Sequence, residues 1–138
     1  MRIIRTVAED NVERTRRALE YFNRGDRELL RGMAAPSVEI VPLRAALEGT
    51  VYRGEDAFDR FWAAIDESWE RVQMEADEIV DCGGRVLVVG RLRARARDTD
   101  VDIDSPMAWV MKLEDGVMTS MRTYTDIAEA RRDAGAEA

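Results

Sequence analysis

The chain has 138 residues, 46% of them apolar and 36% charged, which describes one globular domain able to bury its own core. Its 21 basic and 28 acidic residues leave a net charge of −7, which disfavours nucleic acid as a partner, and no apolar run reaches the ~20 residues of a membrane helix. Histidine is absent, which removes Ser-His-Asp and Cys-His nucleophile systems, the HExxH metalloprotease site and histidine-rich zinc sites. No GxGxxG, P-loop or GxSxG motif occurs, so the sequence asks for no cofactor and no metal, and proton chemistry falls to Asp, Glu, Tyr, Cys, Arg or Lys. The single cysteine, Cys82, cannot close an intrachain disulfide, and Met1–Thr6 has no signal-peptide pattern; both predict a cytoplasmic protein.

In chain order, a first helical pattern runs from about Val7 to Arg24, with Val12, Leu19 and Phe22 on one stripe and Tyr21 beside it. Gly25 is placed to end it, and Asp26 to start a short helix carrying Leu29, Leu30 and Met33. A short strand over Val38–Val41 and a loop from Pro42 to about Arg53 follow. A third helix starts near Gly54 and carries Phe58, Phe61, Trp62, Ile65 and Trp69 at helical spacing. The period then becomes two. A strand bearing Val72, Met74, Ala76 and Val80 turns at Cys82-Gly83-Gly84 into a long strand, Arg85 to Arg97. Another spans Asp102 to Leu113, and Asp115-Gly116 is a hairpin turn into a last strand ending near Asp126, with an Ala/Glu/Arg helix after it. Helices first and then an antiparallel meander is an α+β pattern.

The hairpin fixes an expected register. If Glu114 faces Val117, then Leu113 faces Met118, Met111 faces Ser120, Trp109 faces Arg122 and Met107 faces Tyr124, and all of these share one sheet face with Asp126. A two-residue loop at Thr99-Asp100 sets Arg97 against Asp102 and Arg95 against Asp104. The inner face then carries Val86, Val88, Leu92, Met107, Trp109, Met111 and Leu113. The outer face carries Leu87, Val89, Ala108, Val110 and Met121, with the run Arg91, Arg93, Arg95 and Arg97 further along. That second apolar row predicts a homodimer through the outer face. Asp98, Asp100, Asp102 and Asp104 lack the glycine and glutamate of a calcium loop, and read as an ion-paired hairpin edge.

Asn23-x-Gly25-Asp26, Ala35-Pro36-Ser37-Val38-Glu39, Tyr52-Arg53-Gly54, and Glu114-Asp115-Gly116 followed by Arg122-x-Tyr124-x-Asp126 together resemble the SnoaL-like branch of the nuclear-transport-factor-like superfamily. The resemblance covers about residues 10 to 130 and implies one domain: a cone-shaped curved sheet with three helices around a pocket. It also implies chemistry to test position by position. The ketosteroid isomerase tyrosine falls at Ala18, its base at Val41 or Pro42 and its second aspartate at Ala108 or Trp109, so that activity is not expected. The Arg-x-Asp pair of the epoxide hydrolases falls at Arg91 and Arg93. The acid/base aspartate of the polyketide cyclases falls near Asp126, which makes those the closest functional resemblance.

Two readings follow. In the first, the protein is a cofactor-free acid/base enzyme, of cyclase, isomerase or hydrolase type, on a small apolar or ring-bearing molecule. Asp126 moves the proton, its base strength raised by desolvation, while Arg122 or Tyr124 holds the oxyanion. In the second it is a non-catalytic ligand-binding or dimerisation module, and Asp126 caps the last helix. Both use a pocket walled by Tyr21, Trp62, Met74, Met107 and Trp109.

Overall fold

The computed structural model describes residues 7–42 and 51–135. The expected segment 1–6 and most of the expected loop between Pro42 and Arg53 lie outside them. Helix α1 spans Val7–Arg24 and α2 Arg27–Arg31, followed by strands β1 (Ala34–Val41) and β2 (Tyr52–Arg53). Helix α3 spans Ala57–Ser68. Strands β3 (Trp69–Asp81), β4 (Arg85–Ala96), β5 (Asp102–Glu114) and β6 (Val117–Tyr124) then form the meander, and α4 (Ile127–Ala134) follows. The sheet order is β2-β1-β6-β5-β4-β3, with β1 parallel to β6 and all other neighbours antiparallel. This is the expected α+β architecture, a curved sheet wrapped around helices. The first strand begins at Ala34, four residues earlier than its β-branched residues suggest, and Trp69 opens β3 instead of closing α3.

One face of α1 carries Asn11, Thr15, Ala18, Leu19 and Phe22, all buried. It packs with α3 residues Phe58, Phe61 and Trp62 against Val86, Val88, Leu92, Met107, Trp109, Met111 and Leu113 on the inner face of the sheet. Asn23 fastens the helix to the edge strand. Its side-chain amide donates to the Met74 carbonyl at 2.9 Å and its Oδ1 accepts from the Met74 amide at 2.8 Å, as a neighbouring strand would. Opposite, at Gly90, a Cβ would lie 1.7 Å from the Glu75 carbonyl oxygen. Only a glycine lets β3 fold over β4 this closely, which curves the sheet.

Two β-bulges change the expected register. Between Ala76 and Glu78 on β3, Asp77 is the extra residue, so Ile79 packs inward and Val80 outward. On β6, Leu113 pairs with Met118 as expected, but Lys112 pairs with Ser120, leaving Thr119 as the extra residue. Beyond it every side chain is on the opposite face from the one a regular hairpin gives. Met111 faces Met121, Trp109 faces Thr123, Val110 faces Arg122 and Ala108 faces Tyr124. Met121 therefore belongs to the inner core, while Arg122 and Tyr124 belong to the outer face. The β4–β5 connection is longer than two residues, so Arg95 pairs with Asp102 and Arg93 with Asp104. That slip of two leaves each side chain on its expected face.

The outer face has its own cover. Leu87, Ala108 and Val110 pack with Ala130 and Ala134 of α4, and Val80, Cys82, Val89, Tyr124 and Ile127 surround them. The premise that nothing remained in the chain to cover this row is thus corrected: the last helix does so. The arginine run beyond it is exposed and ion-paired, Arg91 with Asp104, Arg93 with Glu75 and Asp104, and Arg95 with Glu70, Asp100 and Asp102. The Arg91 guanidinium holds the Asp104 carboxyl below its ordinary range.

Candidate functional site

A cavity of about 390 Å³ lies between α3 and the inner face of the sheet. Helix α3 presents Phe61, Ala64, Ile65 and Ser68 to it, one stripe at helical spacing, and α1 contributes Phe22. Trp69, Val72 and Met74 of β3, Leu92 and Ala94 of β4, Trp109 of β5 and Met121 and Thr123 of β6 form the opposite wall, with Pro42 and Tyr52 from the β1–β2 side. Behind Phe22, Phe61, Met74 and Met121 lies a second, smaller void of about 30 Å³, floored by Ala18, Leu19 and Met111. No charged side chain is among the described residues lining either space. The hydroxyls in the main wall belong to Tyr52, Ser68 and Thr123, of which Thr123 alone is buried, at 5% exposure.

Of the five residues expected to wall the pocket, Met74 and Trp109 do so. Trp62 stands behind the wall. One helical step from Phe61, it turns towards α1 and stacks on Phe22 with ring centroids 5.2 Å apart, the Arg27 guanidinium 4.3 Å from its own ring. Its indole nitrogen is buried without a hydrogen-bond partner among the described residues. Tyr21 lies at the core margin below the Arg24 guanidinium, and its neighbour Phe22 reaches the cavity instead. Met107 is on the inner face, enclosed in the core across from Gly90, and does not reach the space.

The three residues expected to do chemistry are not in the cavity. The bulge at Thr119 sends Arg122 and Tyr124 to the outer face, where the Arg122 guanidinium lies 5.9 Å from the Tyr124 ring. The Tyr124 hydroxyl donates to the Asp133 carboxylate of α4 at 2.6 Å. Burial, then the hydrogen bond to Asp133 and its charge, push the Tyr124 phenol up to about 12. Asp126 is exposed at the N-cap of α4, where its carboxylate accepts from the Glu129 amide at 3.2 Å. The capping geometry expected of it is present, and Asp126 does not line the cavity. Conversely, the positions where isomerase groups would fall do reach the interior in part: Pro42 and Trp109 line the cavity and Ala18 the smaller void, none with a titratable side chain.

A family model for the SnoaL-like domain matches residues 15–121. The chain belongs to the SnoaL-like family. Solved structures agree on the fold. An NTF2-like protein of unknown function from Burkholderia pseudomallei superposes with a TM-score of 0.75 at 23% identity, over 89% of this chain and 95% of that one. A protein named for SnoaL-like polyketide cyclases, from Jannaschia sp. CCS1, gives 0.73 at 18% identity over the whole of both chains. TerC, co-crystallised with polyporic acid, gives 0.74 at 20% identity over 89% of this SnoaL-like chain and 96% of its own. No curated protein matches the chain.

Among the sequence signals that would have found the wall of this SnoaL-like cavity, Phe22, Phe61, Ile65, Val72 and Leu92 were all on inward stripes. Ala94 follows Leu92 by two on the same face. Thr123 had no such signal, because it faces inward only after the bulge.

Proposed function

We propose that this SnoaL-like protein binds a small, apolar, ring-bearing molecule in the cavity between α3 and the sheet, without covalent chemistry on it. The observation that carries this is a space of about 390 Å³ walled almost wholly by aliphatic and aromatic side chains, with Asp126, Tyr124 and Arg122 outside it. A space of this size suits a ligand of two or three rings, whose binding follows from the apolar surface it removes from water. Proton transfer by Asp126 is the competing reading. Against it stands the carboxylate's engagement at the exposed α4 N-cap, outside the wall of the cavity.

Self-association through the outer face enters this proposal in reduced form. With Leu87 and Val110 under α4, the area left to a second copy is Val80, Val89 and the ion-paired arginine run. Sedimentation as a monomer at micromolar concentration removes it. The lone thiol, Cys82, supports a cytoplasmic setting, which cell fractionation tests.

The test of binding is a thermal-shift panel of neutral two- and three-ring compounds against the wild type and Ala64→Trp, whose indole fills the cavity from α3. Members of the panel raise the wild-type melting temperature and leave Ala64→Trp unmoved. A panel that shifts neither protein, or both equally, refutes the reading.

A further inference from the structure

Of the three hydroxyl-bearing residues in the wall of the main cavity, Thr123 is the one most withdrawn from water. Thr123 is 5% exposed, and its hydroxyl has one acceptor among the described residues, the Met121 sulfur at 3.7 Å. A thioether is a weak acceptor, so this hydrogen bond is easily exchanged for a better one. Tyr52 and Ser68, the other hydroxyl-bearing residues of the wall, are only half-buried. Thr123 also pairs across the sheet with Trp109, so its hydroxyl lies beside an indole that forms part of the same wall.

We propose that Thr123 is the residue that orients the ligand, donating to a carbonyl oxygen, and that the ligand is therefore a neutral ring-bearing ketone or quinone-type molecule. This rests on the cavity being a ligand site. The apolar wall sets what else is admitted. A carboxylate or ammonium group would give up its hydration with no opposite charge in the described wall to replace it, whereas a carbonyl oxygen is a better acceptor for the Thr123 hydroxyl than the Met121 sulfur it now meets. The Thr119 bulge makes this possible, because without it position 123 faces outward.

The experiment uses a matched pair of probes, fluorene and 9-fluorenone, which differ by a methylene against a carbonyl, with fluorene-9-carboxylate as the charged member. Binding to the full chain is measured by equilibrium dialysis for the wild type, Thr123→Val and Thr123→Ser. Thr123→Val, nearly isosteric, weakens fluorenone about fivefold, as one lost hydrogen bond requires, and leaves fluorene unchanged or tighter. Thr123→Ser keeps the fluorenone affinity, and the carboxylate does not bind. Thr123→Ala gives the same sign as valine should the valine variant not fold. Equal effects of Thr123→Val on both neutral probes, or none on either, overturn the role of Thr123 while the cavity remains a ligand site. Binding of the carboxylate as tightly as fluorenone overturns the neutral-ligand assignment. A wild type that binds neither neutral probe overturns the cavity reading and this inference with it.

Discussion

Replacing Tyr124 by phenylalanine removes a single oxygen from the outer face, at the bond that ties α4 to the sheet. The hydroxyl donates to Asp133 at 2.6 Å, and the phenol is held up to about 12 against an ordinary value of 10. On a fully buried group, a rise from 10 to about 12 would correspond to ~2.7 kcal/mol. Tyr124 is only half-buried, and solvent screening reduces this to about 1 kcal/mol. The sign follows from which state holds the proton. The folded-state value is raised above the unfolded one, so the contribution is complete below pH 10 and is lost as pH rises through about 12. The sequence makes the measurement clean, since the chain has three tyrosines, Tyr21, Tyr52 and Tyr124, a single lysine, Lys112, and no histidine. Urea unfolding of the wild type and Tyr124→Phe at pH 8 differs by about 1 kcal/mol in favour of the wild type, and the difference narrows between pH 10 and 12. Absorbance titration of the folded wild type at 295 nm has a late-ionising component from Tyr124, missing in the variant. Equal stabilities at pH 8, or a late phenol that persists in Tyr124→Phe, refute the placement of Tyr124 against α4.

Asp126→Asn keeps an N-cap acceptor and changes the melting temperature little, whereas Asp126→Ala costs about 1 kcal/mol in chemical denaturation; neither alters affinity for a cavity ligand in dialysis. A loss of ligand affinity in Asp126→Asn at unchanged stability would return Asp126 to the site. Gly90→Ala sets a methyl group 1.7 Å from the Glu75 carbonyl, so circular dichroism should find little folded protein where alanine elsewhere in β4 is tolerated.

The helices, the antiparallel meander and the two faces of β4 and β5 are legible because each rests on a period, whereas the parallel seat of β1 beside β6 and the two-residue strand β2 carry no periodic signal. The 3.6-residue stripe of Leu19 and Phe22, and the alternation of Val86, Val88 and Trp109, Met111, report burial directly. The β4–β5 slip was not legible, since Thr99-Asp100 suits a tight turn as well as a longer one, yet it did no harm because two residues restore the face. The bulge at Thr119 was the costly omission. Nothing in Val117-Met118-Thr119-Ser120-Met121 marks an extra residue: Met118 and Met121 are apolar in either register, and Thr119 and Ser120 are small and polar in either. From that point a regular register points Arg122 and Tyr124 inward, and the bulge points Thr123 inward in their place. The outer cover was missed for a different reason. Helix α4 buries Ala130 and Ala134, side chains too small to stand out as an apolar stripe.

The Thr119 bulge also changes how the pocket can diversify. Alternation along β6 means that its chemistry depends on the parity of a residue count as much as on residue types. Deleting one position would exchange Met121 and Thr123 for Arg122 and Tyr124 on the inner face, turning an uncharged chamber into one with a guanidinium and a phenol, with no codon of either pair altered. Insertions and deletions in a single strand are thus a route between ligand classes in this architecture. A gap-free column-by-column alignment of β6 with a relative lacking the bulge would match side chains that point in opposite directions.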